Sequence, residues 1–234
     1  MITDFHTHVL PGVDDGSASV EESLALLQME AEQGIGQVVA TPHFYANHDT
    51  PERFLQRRER AEATLREALT GKPDMPELFM GAEVYFFPGM SDSDALNELT
   101  IHKKRYILLE MPFTEWTNQV YREIEAIHRK QGLIPVIAHV DRYIAPMRTF
   151  GIPERLSDLP VLVQANASFF LKMSTRGMAM RMLSQGQIHL LGSDCHNLTT
   201  RKPNLGEALR RIESRLGREA VDRIRGCERE VLCI

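Results

Sequence analysis

A chain of 234 residues with 27 basic against 32 acidic side chains carries a formal net charge of −5, which argues against a strongly basic nucleic-acid binder. At 43% hydrophobic and 25% charged residues it lies within ordinary globular usage and outside the disordered regime. Its length suits one domain, residues 1–234, with a sizeable core, because an α/β barrel typically takes about 250 residues.

The chain opens Met1-Ile2-Thr3-Asp4-Phe5-His6, without the basic start and apolar core of a signal peptide, and no later apolar run approaches the ~20 residues of a membrane span. The three cysteines, Cys195, Cys227 and Cys233, form no Cys-x-x-Cys pair, so neither a disulfide framework nor a zinc ribbon is expected. These features predict a soluble protein of a reducing compartment, the cytoplasm.

Seven short runs rich in Val, Ile and Leu are each followed by an amphipathic or charged stretch, the pattern of βα units around a parallel sheet. The first run, residues 2–6, leads to a helix that starts at Ser19, with Glu22 completing a capping box, and ends near 33 before Gly34. The second, 37–41, precedes a helix opened by Thr50-Pro51 and continuing to about 69. There Phe54, Leu55, Ala61, Leu65, Ala68 and Leu69 could form one buried stripe, with the charged residues on a solvated face. Further strands are predicted at 78–83, 106–110, 134–139, 161–166 and 188–193. Helices are expected near 118–131, 174–186, 204–216 and 218–226, the last leading to an apolar tail. No repeat, linker or low-complexity stretch divides the chain.

Five of the nine histidines fall at predicted strand ends or just beyond them, with several acids. Strand one ends in His6-Thr7-His8, and its loop carries Asp14-Asp15-Gly16. The later strands end in Thr41-Pro42-His43, in Ala82-Glu83, in Leu109-Glu110, in Ala138-His139 and in Ser193-Asp194-Cys195-His196. In a parallel barrel the loops after the strands share one face, so these residues would converge. Histidine with carboxylate and no thiolate cluster suits Mn²⁺, Zn²⁺, Fe²⁺ or Mg²⁺. His48, His102, His128 and His189 lack this placement and read as surface or loop residues.

The run from His6 to Gly16, with Thr41-Pro42-His43, Ala138-His139-Val140-Asp141-Arg142-Tyr143, Gln164-Ala165-Asn166-Ala167 and Asp194-Cys195-His196-Asn197, resembles the PHP (polymerase and histidinol phosphatase) superfamily. Within it the sequence is most similar to the bacterial manganese-dependent protein-tyrosine phosphatases of capsule and exopolysaccharide operons. The resemblance covers about residues 1–206. It implies a distorted (β/α)7 barrel with three divalent metal ions, Mn²⁺ first among them. The implied ligands are His6, His8, Asp15, His43, Glu83, Glu110, His139, Asp194 and His196, with Asp14 an alternative to Asp15. Glu110 stands where many superfamily members have histidine, but the tyrosine-phosphatase branch shares the glutamate. Cys195 and Asp141 depart from the branch without removing a ligand.

Four carboxylates and five neutral imidazoles give −4, and three divalent ions would bring the filled site to about +2, a field that attracts a phosphate dianion. Arg142 and Arg201 match the branch's arginine positions and imply bidentate grips on phosphate oxygens. The implied reaction is metal-assisted phosphomonoester hydrolysis, with hydroxide attacking phosphorus in line. A phenol of pKa about 10 leaves more readily than an alkoxide, and no general acid is identified.

The implied substrate is phosphotyrosine on a bacterial tyrosine kinase regulating polysaccharide export. Ten aromatic residues in the loops after strands two to six (Phe44, Tyr45, Tyr85, Phe86, Phe87, Phe113, Trp116, Tyr143, Phe169 and Phe170) predict an apolar rim for a phenyl ring. The alternatives are histidinol phosphate or another small phosphomonoester, a nucleic-acid end, which the net charge disfavours, and a binding module with a decayed site. The Cys195 and Arg201 spacing also imitates the cysteine-nucleophile phosphatases. The intervening His-Asn-Leu-Thr-Thr has no glycine to gather backbone N–H groups, and Asp194 disfavours a thiolate.

Overall fold

The computed structural model describes residues 1–144 and 151–233. Chain order begins with β1 (Thr3–Thr7), α1 (Val20–Glu32), β2 (Gln37–Ala40), β3 (His43–Phe44) and α2 (Pro51–Leu69). It continues through β4 (Glu77–Met80), β5 (Glu83–Tyr85), three short 3₁₀ turns, β6 (Tyr106–Glu110), α3 (Asn118–Gln131), β7 (Ile134–Ile137), α4 (Asp141–Ile144) and α5 (Ile152–Ser157). The last part holds β8 (Leu162–Asn166), α6 (Ala167–Leu171), α7 (Arg176–Ser184), β9 (Leu190–Gly192), α8 (Leu205–Leu216) and α9 (Arg218–Leu232).

Among the described residues every strand pairing is parallel, in two sets ordered β1-β2-β4 and β3-β5-β6-β7-β8-β9. Two predicted strands are each broken in two. The run 37–41 resumes after Pro42, which has no N–H to give a ladder, and 78–83 halts at Met80 and resumes at Glu83. Because β2 runs on into β3 and β4 into β5, the two sets are halves of one curled seven-stave sheet. Its seam closes where the end of β1 meets the residues after β9. There Thr7 bridges Cys195, the Asp194 N–H donates to the His6 carbonyl (2.8 Å), and the His8 N–H donates to the Cys195 carbonyl (2.9 Å). Gly192 permits this approach, since a Cβ there would lie 2.5 Å from that of His6. The (β/α) barrel expected from the sequence is therefore the observed fold.

The local signals act as predicted at several helix ends. The Ser19 hydroxyl accepts from the Glu22 N–H, while the Glu22 carboxylate reaches back to the Ala18 N–H, and Gly34 takes a left-handed φ of 82°. Thr50 caps α2 with Pro51 at its first position. Inside the barrel, Phe5, Val39, Leu108, Val136 and Leu190 pack with Val231 and Leu232 of α9. The Glu228 carboxylate of that helix accepts from the Thr3 N–H at the start of β1, so α9 closes the end opposite the strand C-termini. The predicted last helix is thus too short at 226, because packing inside the barrel carries its apolar tail on as helix through Leu232.

A second correction concerns α2. Phe54, Ala61 and Leu65 are buried as expected, but so is Arg58, which the sequence placed on a solvated face. Its guanidinium donates to the Gly81 carbonyl (2.8 Å), in the gap between β4 and β5, and lies over the Phe54 ring. Arg58 thereby satisfies a backbone acceptor that the strand break leaves without a ladder partner, two residues before Glu83. An Arg58→Met variant keeps the stem's volume and loses that bond. It is expected to cost about 1–3 kcal/mol in urea unfolding, and an unchanged midpoint would contradict this role.

Candidate metal centre

The barrel brings together at its C-terminal face the residues that the sequence singled out. His6, His8, Glu83, Glu110, His139, Asp194 and His196 are all buried, His43 is nearly so, and Asp15 is exposed at the mouth. A register irregularity in β1 between Asp4 and Thr7 accompanies the placement of His6 and His8, whose Nε2 atoms lie 3.2 Å apart. His139 (φ 30°) and Asp194 (φ 56°) adopt left-handed backbone conformations, which are costly for residues other than glycine and gather at functional sites.

Glu83 occupies the centre. Its Oε1 lies 2.7 Å from His139 Nε2, and its Oε2 lies 2.9, 3.2 and 3.4 Å from His43 Nδ1, His6 Nε2 and His8 Nε2. Three sets of donor atoms are close enough to hold an ion: His8, Asp15, His43 and His196; His6, His8 and Asp194; and His43, Glu83 and Glu110. His139 joins the last set through Glu83 and through Glu110, 3.6 Å away. His139 Nδ1 and His196 Nε2 are buried without a hydrogen-bond partner, and Glu83 Oε2 and His43 Nδ1, though 2.9 Å apart, are not aligned to bond each other, an expensive arrangement unless something else satisfies them. Orphaned donors on histidine and carboxylate, with no thiolate among them, fit a divalent cation.

The surrounding residues fix the ligand rings. His8 Nδ1 meets the Asp14 carboxylate at 2.7 Å, and the same oxygen accepts from the His43 N–H (2.9 Å). Asp14 therefore orients the His8 imidazole and fixes the His43 backbone. Asp15 Oδ1 instead faces His43 Nε2 and His196 Nε2 at 3.6 and 3.5 Å. Gln164, fully buried, accepts from the His139 N–H (2.6 Å) and sits 3.3 Å from His6 Nδ1. Its amide donates to Asn166 Oδ1, and the Asn166 amide donates to Asp194. Asp141 accepts from the Asn166 N–H, and the Tyr143 hydroxyl accepts from the Met111 N–H. Sequence reasoning gave Gln164, Asn166 and Asp141 no role. The available signal was two amides in an otherwise apolar strand.

Asp194 is held by Arg142 and by Arg201 (2.7 Å). Both predicted arginines are at the site, each about one-third exposed, with Asp194 as their partner. His48 lines the mouth cavity beside His43 and Tyr45, although the sequence left it as a loop residue, which it also is. His102, His128 and His189 lie elsewhere, His189 accepting from the Val163 N–H.

Burial alone would lower the pKa of His8, but the hydrogen bonds and charges of Asp14 and Glu83 outweigh it and push it up to about 10. Burial likewise opposes a charged His139, yet Glu110 and Glu83 push it up to about 9. For Glu83 burial favours the neutral acid, and the His6 charge with the hydrogen bond from His139 overrides it, holding the carboxyl well below its usual range. Burial and the neighbouring His8 charge bring His196 down to about 4. The Cys195 thiol, fully buried near Glu30 and Asp4, is pushed well above its usual value by burial and by those carboxylates, which disfavours a thiolate nucleophile.

The fold and site together define a parallel α/β barrel protein whose clustered histidine and carboxylate donors could hold metal ions. The family model for capsular polysaccharide synthesis, CpsB/CapC, matches residues 2–230, and the chain belongs to that family. It is 30% identical to the tyrosine-protein phosphatase CpsB of Streptococcus pneumoniae, covering 92% of this chain and 90% of that protein. It is 28% identical to the tyrosine-protein phosphatase YwqE of Bacillus subtilis, covering 92% and 85%. A solved structure from the study of YwqE and S. pneumoniae CpsB, described as unique metal-dependent tyrosine phosphatases, superposes with a TM-score of 0.84 at 24% identity, over 99% of this chain and 94% of that one. The family membership bears out the resemblance read from the motifs.

A ligating imidazole must be neutral, so an ion entering this cluster displaces the protons that His8 and His139 hold at neutral pH. Binding of Mn²⁺ or Zn²⁺ is therefore expected to release about one or two protons and to strengthen as pH rises from about 6 to 8. Calorimetry in buffers of different ionisation enthalpy measures the release, and a heat independent of buffer would contradict it.

Proposed function

We propose that this protein is a metal-dependent tyrosine phosphatase that removes phosphate from a bacterial tyrosine kinase regulating capsule or exopolysaccharide synthesis, acting in the cytoplasm as a single-domain enzyme. The observation that carries the reading is one face of a CpsB/CapC-family barrel where nine histidine and carboxylate donors meet two arginines. Among the described residues no helix is long and apolar enough to cross a membrane, which agrees with that location.

The residues that would hold metal are His6, His8, Asp15, His43, Glu83, Glu110, His139, Asp194 and His196, arranged for three ions, with Mn²⁺ preferred. Asp15 is favoured over Asp14 because both Asp14 oxygens are engaged by His8, the His43 N–H and the Gly16 N–H, whereas Asp15 opens toward two ring nitrogens. Bound there, divalent ions supply Lewis acidity and a nucleophile at neutral pH.

The chain's own groups do the rest. Arg142 and Arg201 each spend part of a five-donor fork on Asp194, and the remaining N–H groups suit phosphate oxygens. Phe113, 43% exposed, lies nearly parallel to the His139 ring at 6.3 Å and offers a flat apolar surface beside the donors. The predicted rim is smaller than ten residues. Phe44, Phe86, Trp116, Tyr143, Phe169 and Phe170 are buried core, leaving Tyr45, Tyr85, Phe87 and Phe113. Burial and the Glu110 carboxylate push the Tyr45 phenol above its usual value, so its hydroxyl stays protonated at the mouth. Phenolate is a good leaving group, which favours tyrosine over serine.

Asp194→Asn and His139→Ala are expected to abolish most hydrolysis of an aryl phosphate, whereas Cys195→Ser retains most of it. A Cys195→Ser protein that binds metal yet is inactive would overturn the metal mechanism. Arg142→Ala and Arg201→Ala should each lower kcat about a hundredfold with metal content near wild type.

The substrate assignment is tested by kcat/KM for phosphotyrosine and phosphoserine versions of one peptide alongside histidinol phosphate. Phosphotyrosine is expected to lead by about tenfold or more. Equal rates would leave a less specific phosphoesterase.

A further inference from the structure

Beside the mouth cavity lies a second, larger one of about 560 Å³, between α2 and the start of α1. Its walls include Ser19, Arg53, Gln56, Arg57, Arg60 and Thr64. The mouth cavity, about 360 Å³, is lined by Asp15, His43, Tyr45 and His48 among others, and Arg57 walls both. The two are therefore neighbours across one guanidinium.

The second cavity is basic in an acidic protein. Arg53 and Arg57 share Asp49 at 3.7 and 2.7 Å, and Arg60 forms no ion pair among the described residues. Three arginines and no acidic side chain line it, on a chain whose net charge is −5. The N-terminus of α1 adds little, because Glu21 and Glu22 occupy its first turn. Positions 53, 57, 60 and 64 share one face of α2, while Phe54, Ala61, Leu65 and Arg58 anchor the adjoining side in the core. The arginines are thus presented from a rigid element. Arg53 and Arg60 stand about 10 Å apart along the helix axis, the reach of about three residues of extended chain.

We propose that this arginine-lined cavity docks an acidic stretch of the substrate, within about five residues of the phosphotyrosine whose phosphate reaches the histidine and carboxylate cluster. The inference rests on the phosphatase reading and deepens it. The cluster recognises the phosphate, and the α2 arginines recognise carboxylates next to it, so a tyrosine flanked by Asp or Glu is the preferred target. Arg57 marks where the peptide crosses from one cavity to the other.

The test compares a phosphotyrosine peptide carrying three flanking glutamates with its glutamine counterpart, using metal-loaded enzyme at low salt. The ratio of kcat/KM is read separately for wild type and for the Arg53→Gln/Arg60→Gln double variant. The wild type is expected to prefer the glutamate peptide by about three- to thirtyfold, mainly through KM, and the double variant by twofold or less. Raising salt should shrink the preference. In parallel, fluorescence anisotropy of the unphosphorylated glutamate peptide reads docking without turnover, and its affinity should fall by a similar factor in the double variant. Equal rates for the two peptides in wild type, or a preference unchanged in the double variant, would overturn the docking site and leave the phosphatase intact. Arginine-dependent binding of the acidic peptide without cleavage of any phosphopeptide would support the cavity and overturn the phosphatase reading instead.

Discussion

The structure depends on keeping Glu83 ionised in a place that water does not reach. Its carboxylate is 1% exposed with four imidazoles within 3.4 Å. A buried charge of this kind persists only if its surroundings supply opposite charge and directed donors, since desolvation otherwise neutralises it. No single segment could do so. The four rings come from β1 and the turn after it, from β3 and from beyond β7, and only a curled parallel sheet aims those segments at one point.

Much of the remaining architecture follows from the need to keep these rings from turning. Asp14 grips His8 and the His43 backbone, Gln164 spans His139 and His6, and Asn166 ties the same strand to Asp194. Arg58 holds the Gly81 carbonyl just ahead of Glu83 from outside the sheet. Each supporting contact is itself buried or nearly so, which limits the freedom of the ring or carboxylate it holds. A site built this way is preorganised before any ligand arrives, and the energetic cost of crowding like groups is spread over many neighbours.

The donor set was legible in the sequence because parallel topology converts position along the chain into position on a face: a histidine or acid at a strand end can point nowhere else. Strand existence was legible for the same reason that apolar runs are, but the breaks at Pro42 and Gly81 were not, since Val, Ala and Glu on either side keep the pattern of one strand. Arg58 was misplaced because periodicity reports which face a residue is on and not whether a carbonyl waits there. The aromatic residues misled by the same limit. Phe169 and Phe170 follow a strand end as Phe113 does, yet α6 folds them into the core while Phe113 stays outside. Gln164 shows the converse, a polar residue in an apolar strand whose partners come from elements remote in sequence.

The seam between β1 and the turn after β9 has a consequence for how the molecule comes into being. Asp194 and His196, which His6 and His8 meet, follow them in synthesis by almost two hundred residues. The first stave therefore pairs with β2 on one side and waits with its other edge exposed until β9 and the turn after it have been made. Until then the early histidines lack the Asp194 and His196 groups that complete the cluster, so a nascent or truncated chain has only part of the site with which to capture stray metal. Closure of the barrel and completion of the site are one late event.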